Sequence, residues 1–150
     1  MSFTSDILLT GAWTGFVATL VMTAVILIVK KSGNAPMDLF VMLGRQALGK
    51  KTKEADARPV GMGMHIVIGV VWGIVFVWLG TNGFLFNQFN YMTGMGFAML
   101  PWMLMMLIAL PMMGAGIFGI EKSTKIPLVT LILHLVYGAS LGALVLYSMG

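Results

Sequence analysis

This chain of 150 residues has no cysteine, only five acidic residues, and long stretches without any charge. The missing thiols exclude disulfides, iron–sulfur clusters and thiolate metal sites, and leave the redox compartment open. Charged residues make up 9% of the sequence, where a soluble domain carries roughly a quarter. Water is therefore not its main solvent. The five acids, Asp6, Asp38, Glu54, Asp56 and Glu121, all belong to tails or loops between apolar stretches. No carboxylate is thus placed for general acid–base work inside a span, and a nucleophile triad around His134, Tyr137 and Ser140 lacks its acid. Gly61-Met-Gly63 and Gly114-Ala-Gly116 are glycine pairs without the strand that a phosphate-binding loop requires. The expectation is a protein with no enzymatic activity of its own.

What is present is apolar, at 59% of residues. Four stretches, about 7–29, 60–79, 91–118 and 126–147, are long enough to cross a hydrocarbon core of ~30 Å. Only helices can do so in an open chain, because every backbone polar group must be satisfied within the segment. The fold class expected is all-α, a four-transmembrane-helix bundle in one integral membrane domain, 1–150. The third stretch carries Pro101 and Pro111 and is expected to tilt or kink. All nine Lys and Arg sit in the first and third loops: Lys30, Lys31, Arg45, Lys50, Lys51, Lys53 and Arg58, then Lys122 and Lys125. Basic loops stay cytoplasmic during insertion, so both termini are expected outside the cytoplasm, in a plasma membrane. Trp13, Trp78, Tyr91 and Tyr147 would anchor the outer interface. The segment Met1–Asp6 lacks the positive start of a signal peptide and is expected to begin the first span. The net charge of +4 flanks apolar spans, which points to anionic lipid headgroups and not to nucleic acid.

The first loop is not featureless. From Asn34 the sequence predicts a short amphipathic helix on the inner surface, with Asn34 as cap, Pro36 in the first turn and Asp38 at the positive end. Met37, Phe40, Val41 and Leu48 share a face, with Leu39 and Leu43 beside it. Such a helix is interfacial, or docks a soluble partner.

The second and fourth spans resemble one another: His65-x3-Gly69-x3-Gly73 aligns without gaps on His134-x3-Gly138-x3-Gly142, each after a proline, Pro59 or Pro127. The first and third match more loosely, Thr14-Gly15 and Ala18 against Thr93-Gly94 and Ala98. The chain thus reads as two parallel-oriented helical hairpin repeats. Glycines four apart make a flat stripe, so Gly69, Gly73, Gly138 and Gly142 are the expected helix-packing residues. Both histidines fall ~10 Å inside the cytoplasmic end.

Three readings of that pair are open. Each imidazole holds helices together near the interface. Alternatively His65 and His134 ligate a haem b, with the four glycines making room for the ring. Or the pair handles protons or a metal ion, since ionisable groups inside a membrane are costly. The 15 methionines are a second candidate. Met92, Met95, Met99, Met103 and Met106 step along span three, and Met95, Met99 and Met103 are the expected Cu(I) ligands through soft thioethers, with Met62 and Met64 as an inner stop. The competing view makes them flexible apolar filler, as for Met105, Met112 and Met113, which lie off the stripe.

Gly15-x-x-Ala18-Thr19-x-x-Met22, Met37-Asp38, His65-x3-Gly69, Pro111-Met-Met-Gly114-x-Gly116 and His134-x3-Gly138-x3-Gly142 together resemble the YagU-like small four-helix membrane proteins of bacteria and archaea. The resemblance implies the duplicated four-helix fold and brings no substrate or cofactor. The function expected is therefore that of an accessory or scaffold subunit in a larger membrane complex, without cofactor. Its partners would be other membrane helices and lipids, as a hetero- or homo-oligomer. A haem- or copper-binding component and a small ion or proton transporter are the alternatives.

Overall fold

A computed structural model describes residues 3–149, with side chains from residue 5 onward. Met1, Ser2 and Gly150, on which the expected start of the first span and the external C-terminus partly rest, lie outside the described residues. Among the described residues the chain is all helical and has no strand. The helices are α1 (Phe3–Lys31), α2 (Leu39–Leu48), α3 (Glu54–Thr81), α4 (Tyr91–Met112) and α5 (Ile126–Met149). All but α2 are long and apolar enough to cross a membrane.

Three boundaries differ from the sequence reading, each for a local reason. The third span was expected to run to 118, but α4 ends at Met112. Gly114 takes φ 75°, its N–H donates to the Pro111 carbonyl (3.0 Å), and the Ala115 N–H donates to the Leu110 carbonyl (2.9 Å). This pair of bonds satisfies the last carbonyls and stops the helix. Gly33 and Gly83 end α1 and α3 with the same pair of bonds. A 3₁₀ turn at Ile117–Gly119 then carries the chain to the third loop. α3 begins at Glu54, so Pro59 lies inside it and not before it. The ring removes one donor near the helix start, and Glu54 and Asp56 in the first turn favour the positive helix end. α2 is capped by Asp38, not Asn34: the Asp38 carboxylate accepts from the Val41 N–H at 3.2 Å.

Within α4, Met105–Ala109 form a π turn. Pro111 explains it. A proline cannot donate to the carbonyl one turn back and its ring collides with that carbonyl, so the turn opens by one residue.

Small residues decide which helices meet. A Cβ at Gly15 would meet the Gly69 carbonyl (2.8 Å) and Gly73 Cα (3.0 Å), and one at Gly73 would overlap Gly11 and Gly15. Across α4 and α5, a Cβ at Gly94 would overlap Gly138, and one at Gly142 would overlap the Asn90 carbonyl. Backbone touches backbone along both seams, the close approach that glycine stripes allow. α1 also packs on α5, while α3 and α4 hardly touch. The four long helices therefore stand in the order α3, α1, α5, α4, as an arc with one open seam. Thr14, Thr19 and Thr23 on α1 are buried and return their hydroxyls to carbonyls one turn back, at 2.6–2.7 Å, so each of these three is paired.

At the end near 82–90 the open seam is plugged. Phe76 packs on Phe86 (4.9 Å between ring centroids), Phe89 (5.5 Å) and Phe97 (5.0 Å), and Trp72 meets Phe97 edge-on at 5.7 Å. At the other end sits α2. The helix expected at the inner surface packs on α3, with Phe40 and Val41 buried. A Cβ at Gly44 would overlap the Ala57 carbonyl, and one at Gly61 the Phe40 carbonyl. Asp38 also pairs with Lys30 of α1 and with Arg58 of α3 (2.8 Å), and Arg58 bonds Glu54 as well. Burial works against the Asp38 charge, but the hydrogen bonds from Lys30 and Arg58 outweigh it and hold the carboxyl below its ordinary value of 3.8. Arg45 and Lys50 of the first loop line one pocket with Lys122 of the third, so both basic loops lie at the same end of the arc.

Candidate functional site

With α3 and α4 apart, plugged by aromatic rings at one end and by α2 at the other, a cavity of about 380 Å³ remains between them. α1 and α5 form its floor through Thr19, Met22, His134 and Tyr137; α3 supplies His65, Gly69 and Trp72; Leu39 and Leu43 of α2 close one end. The α4 wall is Pro101, Leu104 and the π turn, through Met105, Ile108 and Ala109. Ile68, Leu104, Ile108 and Met112 are at the rim and exposed. The cavity therefore opens sideways, where acyl chains would surround the molecule. A π turn in the wall of a cavity is common at functional sites.

Its polar groups are few, and most are spent. The Tyr137 hydroxyl donates to the Gly69 carbonyl at 2.7 Å, tying α5 to α3 across the floor. Thr19 bonds its own helix. His134 Nδ1 lies 2.8 Å from the Thr130 carbonyl. A carbonyl has no proton, so the ring nitrogen donates, and the neutral imidazole keeps a free lone pair on Nε2. Thr130 is itself held by the Ile126 carbonyl (2.6 Å) and accepts from the Trp102 indole N–H (3.2 Å). His65 is different. It is 9% exposed, Phe40 packs edge-on against its ring at 5.5 Å, and its Nε2 is buried with no hydrogen-bond partner. A buried polar atom left unpaired is costly and calls for an explanation.

The cavity thus brings His65 and His134 together. It does not supply the room beside the glycines on which a haem reading relied. A Cβ at Gly69 would overlap Thr19 Oγ1, and Gly73, Gly138 and Gly142 are covered by backbone of α1 or α4. A haem's propionates call for cations, and Arg58 is already engaged by Asp38 and Glu54. The methionine stripe divides. Met92, Met99 and Met103 are exposed, Met95 is half-buried, and Met106 is fully buried in a separate cluster with Leu110, Ala115 and Ile126. None of these lines the cavity, and neither do Met62 and Met64. The thioethers that do are Met22, Met105, Met112 and Met113, none of which belongs to the stripe. Among the described residues no three His, Asp or Glu side chains gather. Sequence reasoning missed Thr19, Met22 and Trp72. Thr19 and Met22 appeared only within the motif Gly15-x-x-Ala18-Thr19-x-x-Met22, and Trp72 only as a neighbour of Gly73.

The family comparison covers nearly the whole chain. It matches the model of a family of unknown function, DUF6789, over residues 5–150, and the chain belongs to that family. No curated protein and no solved structure matches it.

Proposed function

We propose that this chain is a multi-pass membrane protein without chemistry of its own, an accessory subunit that holds a small apolar molecule drawn from the bilayer. The observation that carries the reading is the sideways-open cavity between α3 and α4. Its volume of about 380 Å³ falls in the range of small-molecule sites, ~300–1,000 Å³, and such sites are mostly apolar with a few placed polar groups. Little of the chain projects beyond its four long helices, so what it recognises lies in the membrane. The exposed apolar faces of α1 and α3, among them Leu9, Phe16, Val67 and Val71, are the surfaces offered to lipid and to neighbouring membrane helices.

The finer architecture belongs to the same reading. Gly15 on Gly69 and Gly73 repeats as Gly94 on Gly138 and Gly142, which supports two duplicated hairpins and the likeness to YagU-like proteins. The gathering of Arg45, Lys50 and Lys122 at one end supports cytoplasmic loops one and three, external termini and a plasma-membrane location. A haem b between His65 and His134 would have to displace packed backbone. A copper path along Met95, Met99 and Met103 does not reach the histidines. Ion or proton transport draws no support from a wall that is apolar apart from Thr19, His65, His134 and Tyr137.

The test is purification in mild detergent, with organic extraction of the purified protein and native electrophoresis. The expected result is one apolar molecule per chain, lost on Ile108→Trp at the rim, and migration with larger partners. An empty extract from a protein that migrates alone would overturn the proposal.

A further inference from the structure

We propose that the occupant of the cavity is a neutral molecule with a flat ring bearing a hydroxyl, the chemistry of a membrane quinol or phenol, whose O–H donates to Nε2 of His134 in the cavity that His65 also lines. The inference rests on the cavity reading above and adds the chemistry of the ligand's polar end. Three observations carry it. First, no Lys, Arg, Asp or Glu lines the cavity, so a charged headgroup would be buried without a counter-charge, which excludes phosphate and carboxylate heads. Second, both imidazoles that line the cavity keep unused hydrogen-bonding capacity. His134 offers a lone pair because its Nδ1 proton is committed to Thr130, and His65 is nine-tenths buried with an orphaned Nε2. An O–H satisfies the first, and a second oxygen on the ring lies on the side of the cavity that His65 lines. Third, the walls suit a ring. Trp72 and Tyr137 face the cavity, and aromatic pairs gain from offset or edge contact. A bare metal ion on the two histidines would leave most of the volume unfilled.

The test uses the full chain in lipid nanodiscs under anaerobic conditions, with decyl-ubiquinol, its di-O-methyl ether, decylphenol and Cu(I) as probes. Decyl-ubiquinol is expected to bind at one per chain, and the ether roughly five- to tenfold more weakly, the value of one buried hydrogen bond. His134→Ala is expected to weaken the quinol by a similar factor and leave the ether unchanged, so the ether reports that the cavity is intact. His65→Gln follows the same pattern with a smaller change. Decylphenol binding as well as the quinol would assign a single hydroxyl, and weaker binding a quinol; either upholds the class. Equal binding of quinol and ether, or equal loss of both in His134→Ala, would overturn the inference while leaving the cavity reading standing. Failure of every organic probe would overturn both. One Cu(I) per chain, lost in His65→Ala and in His134→Ala and displacing the quinol, would assign the pair to a metal and overturn the inference.

Discussion

The seams α1–α3 and α4–α5 differ from the seam α3–α4 in one respect, the size of the residues that face it. At Gly11, Gly15, Gly69 and Gly73, and again at Gly94, Gly138 and Gly142, the helices meet backbone to backbone. Lipid tails are as apolar as leucine, so helices in a bilayer associate through close packing and hydrogen bonds and not through water exclusion. Glycine stripes supply that packing. Between α3 and α4 the facing residues are Trp72, Ile68, Leu104 and Ile108, with the π turn widening the α4 wall. Large side chains and a proline-opened turn hold the pair apart, and the space is closed only at its ends. The same four helices thus make two tight joints and one site.

That contrast is most exposed to substitution at the tight joints. Gly138→Val puts a branched side chain into the Gly94 carbonyl, where only backbone can yield. The expected cost is at or above about 3 kcal/mol, read as loss of folded protein in a detergent-unfolding assay. Gly96 on α4 has nothing within 4 Å of a built Cβ. Gly96→Ala is therefore expected to be neutral or to stabilise by up to about 1 kcal/mol through helix propensity. If both variants behave alike, the seam is not a close-packed joint.

A smaller effect is expected where the seam meets the cavity floor. Tyr137→Phe removes the donor to the Gly69 carbonyl and should cost about 1–2 kcal/mol, measured in the same assay. An unchanged midpoint would mean that α5 does not hold α3 at this level.

The smallest effect concerns α2, the lid at the basic end. The Asp38 carboxyl titrates below 3.8 in the folded chain, so its contribution is fully present above that value and is lost as pH falls through the depressed folded value. Acid should therefore loosen α2 before it affects α1–α3 contacts. Asp38→Ala should lower stability by about 1 kcal/mol, the worth of a helix cap, and abolish that acid step. Hydrogen exchange of α2 amides followed from about pH 5 to about pH 2 reads both, because the step falls below the ~3.9 at which a free aspartate titrates. An acid step that survives the substitution would assign it to another group.

How much of this was legible in the sequence follows from what each feature depends on. The long apolar stretches and the sorted Lys and Arg are local properties, and four long apolar helices stand where composition put them. Helix ends were read too simply. Pro59 looked like a boundary, but a proline in the second turn costs only one donor, and Gly114 stops α4 through a backbone conformation that no hydropathy average contains. The histidine pair was visible as an aligned repeat, yet its surroundings were not. Met22, Trp72 and Met105 reach the cavity only because α3 and α4 stand apart, and that spacing depends on residues far apart in the chain. The Met95–Met99–Met103 stripe shows the converse. Its helical period was real, but period alone does not say whether a face meets protein or lipid.

The most direct measurement places Trp72 as the sole tryptophan, with Trp13, Trp78 and Trp102 changed to Phe, in vesicles whose acyl chains carry bromine. An open seam predicts strong quenching of Trp72 that falls when Ile108→Phe narrows the rim. Trp72 emission indifferent to brominated chains, or quenched equally with the rim narrowed, would contradict a cavity entered from the bilayer.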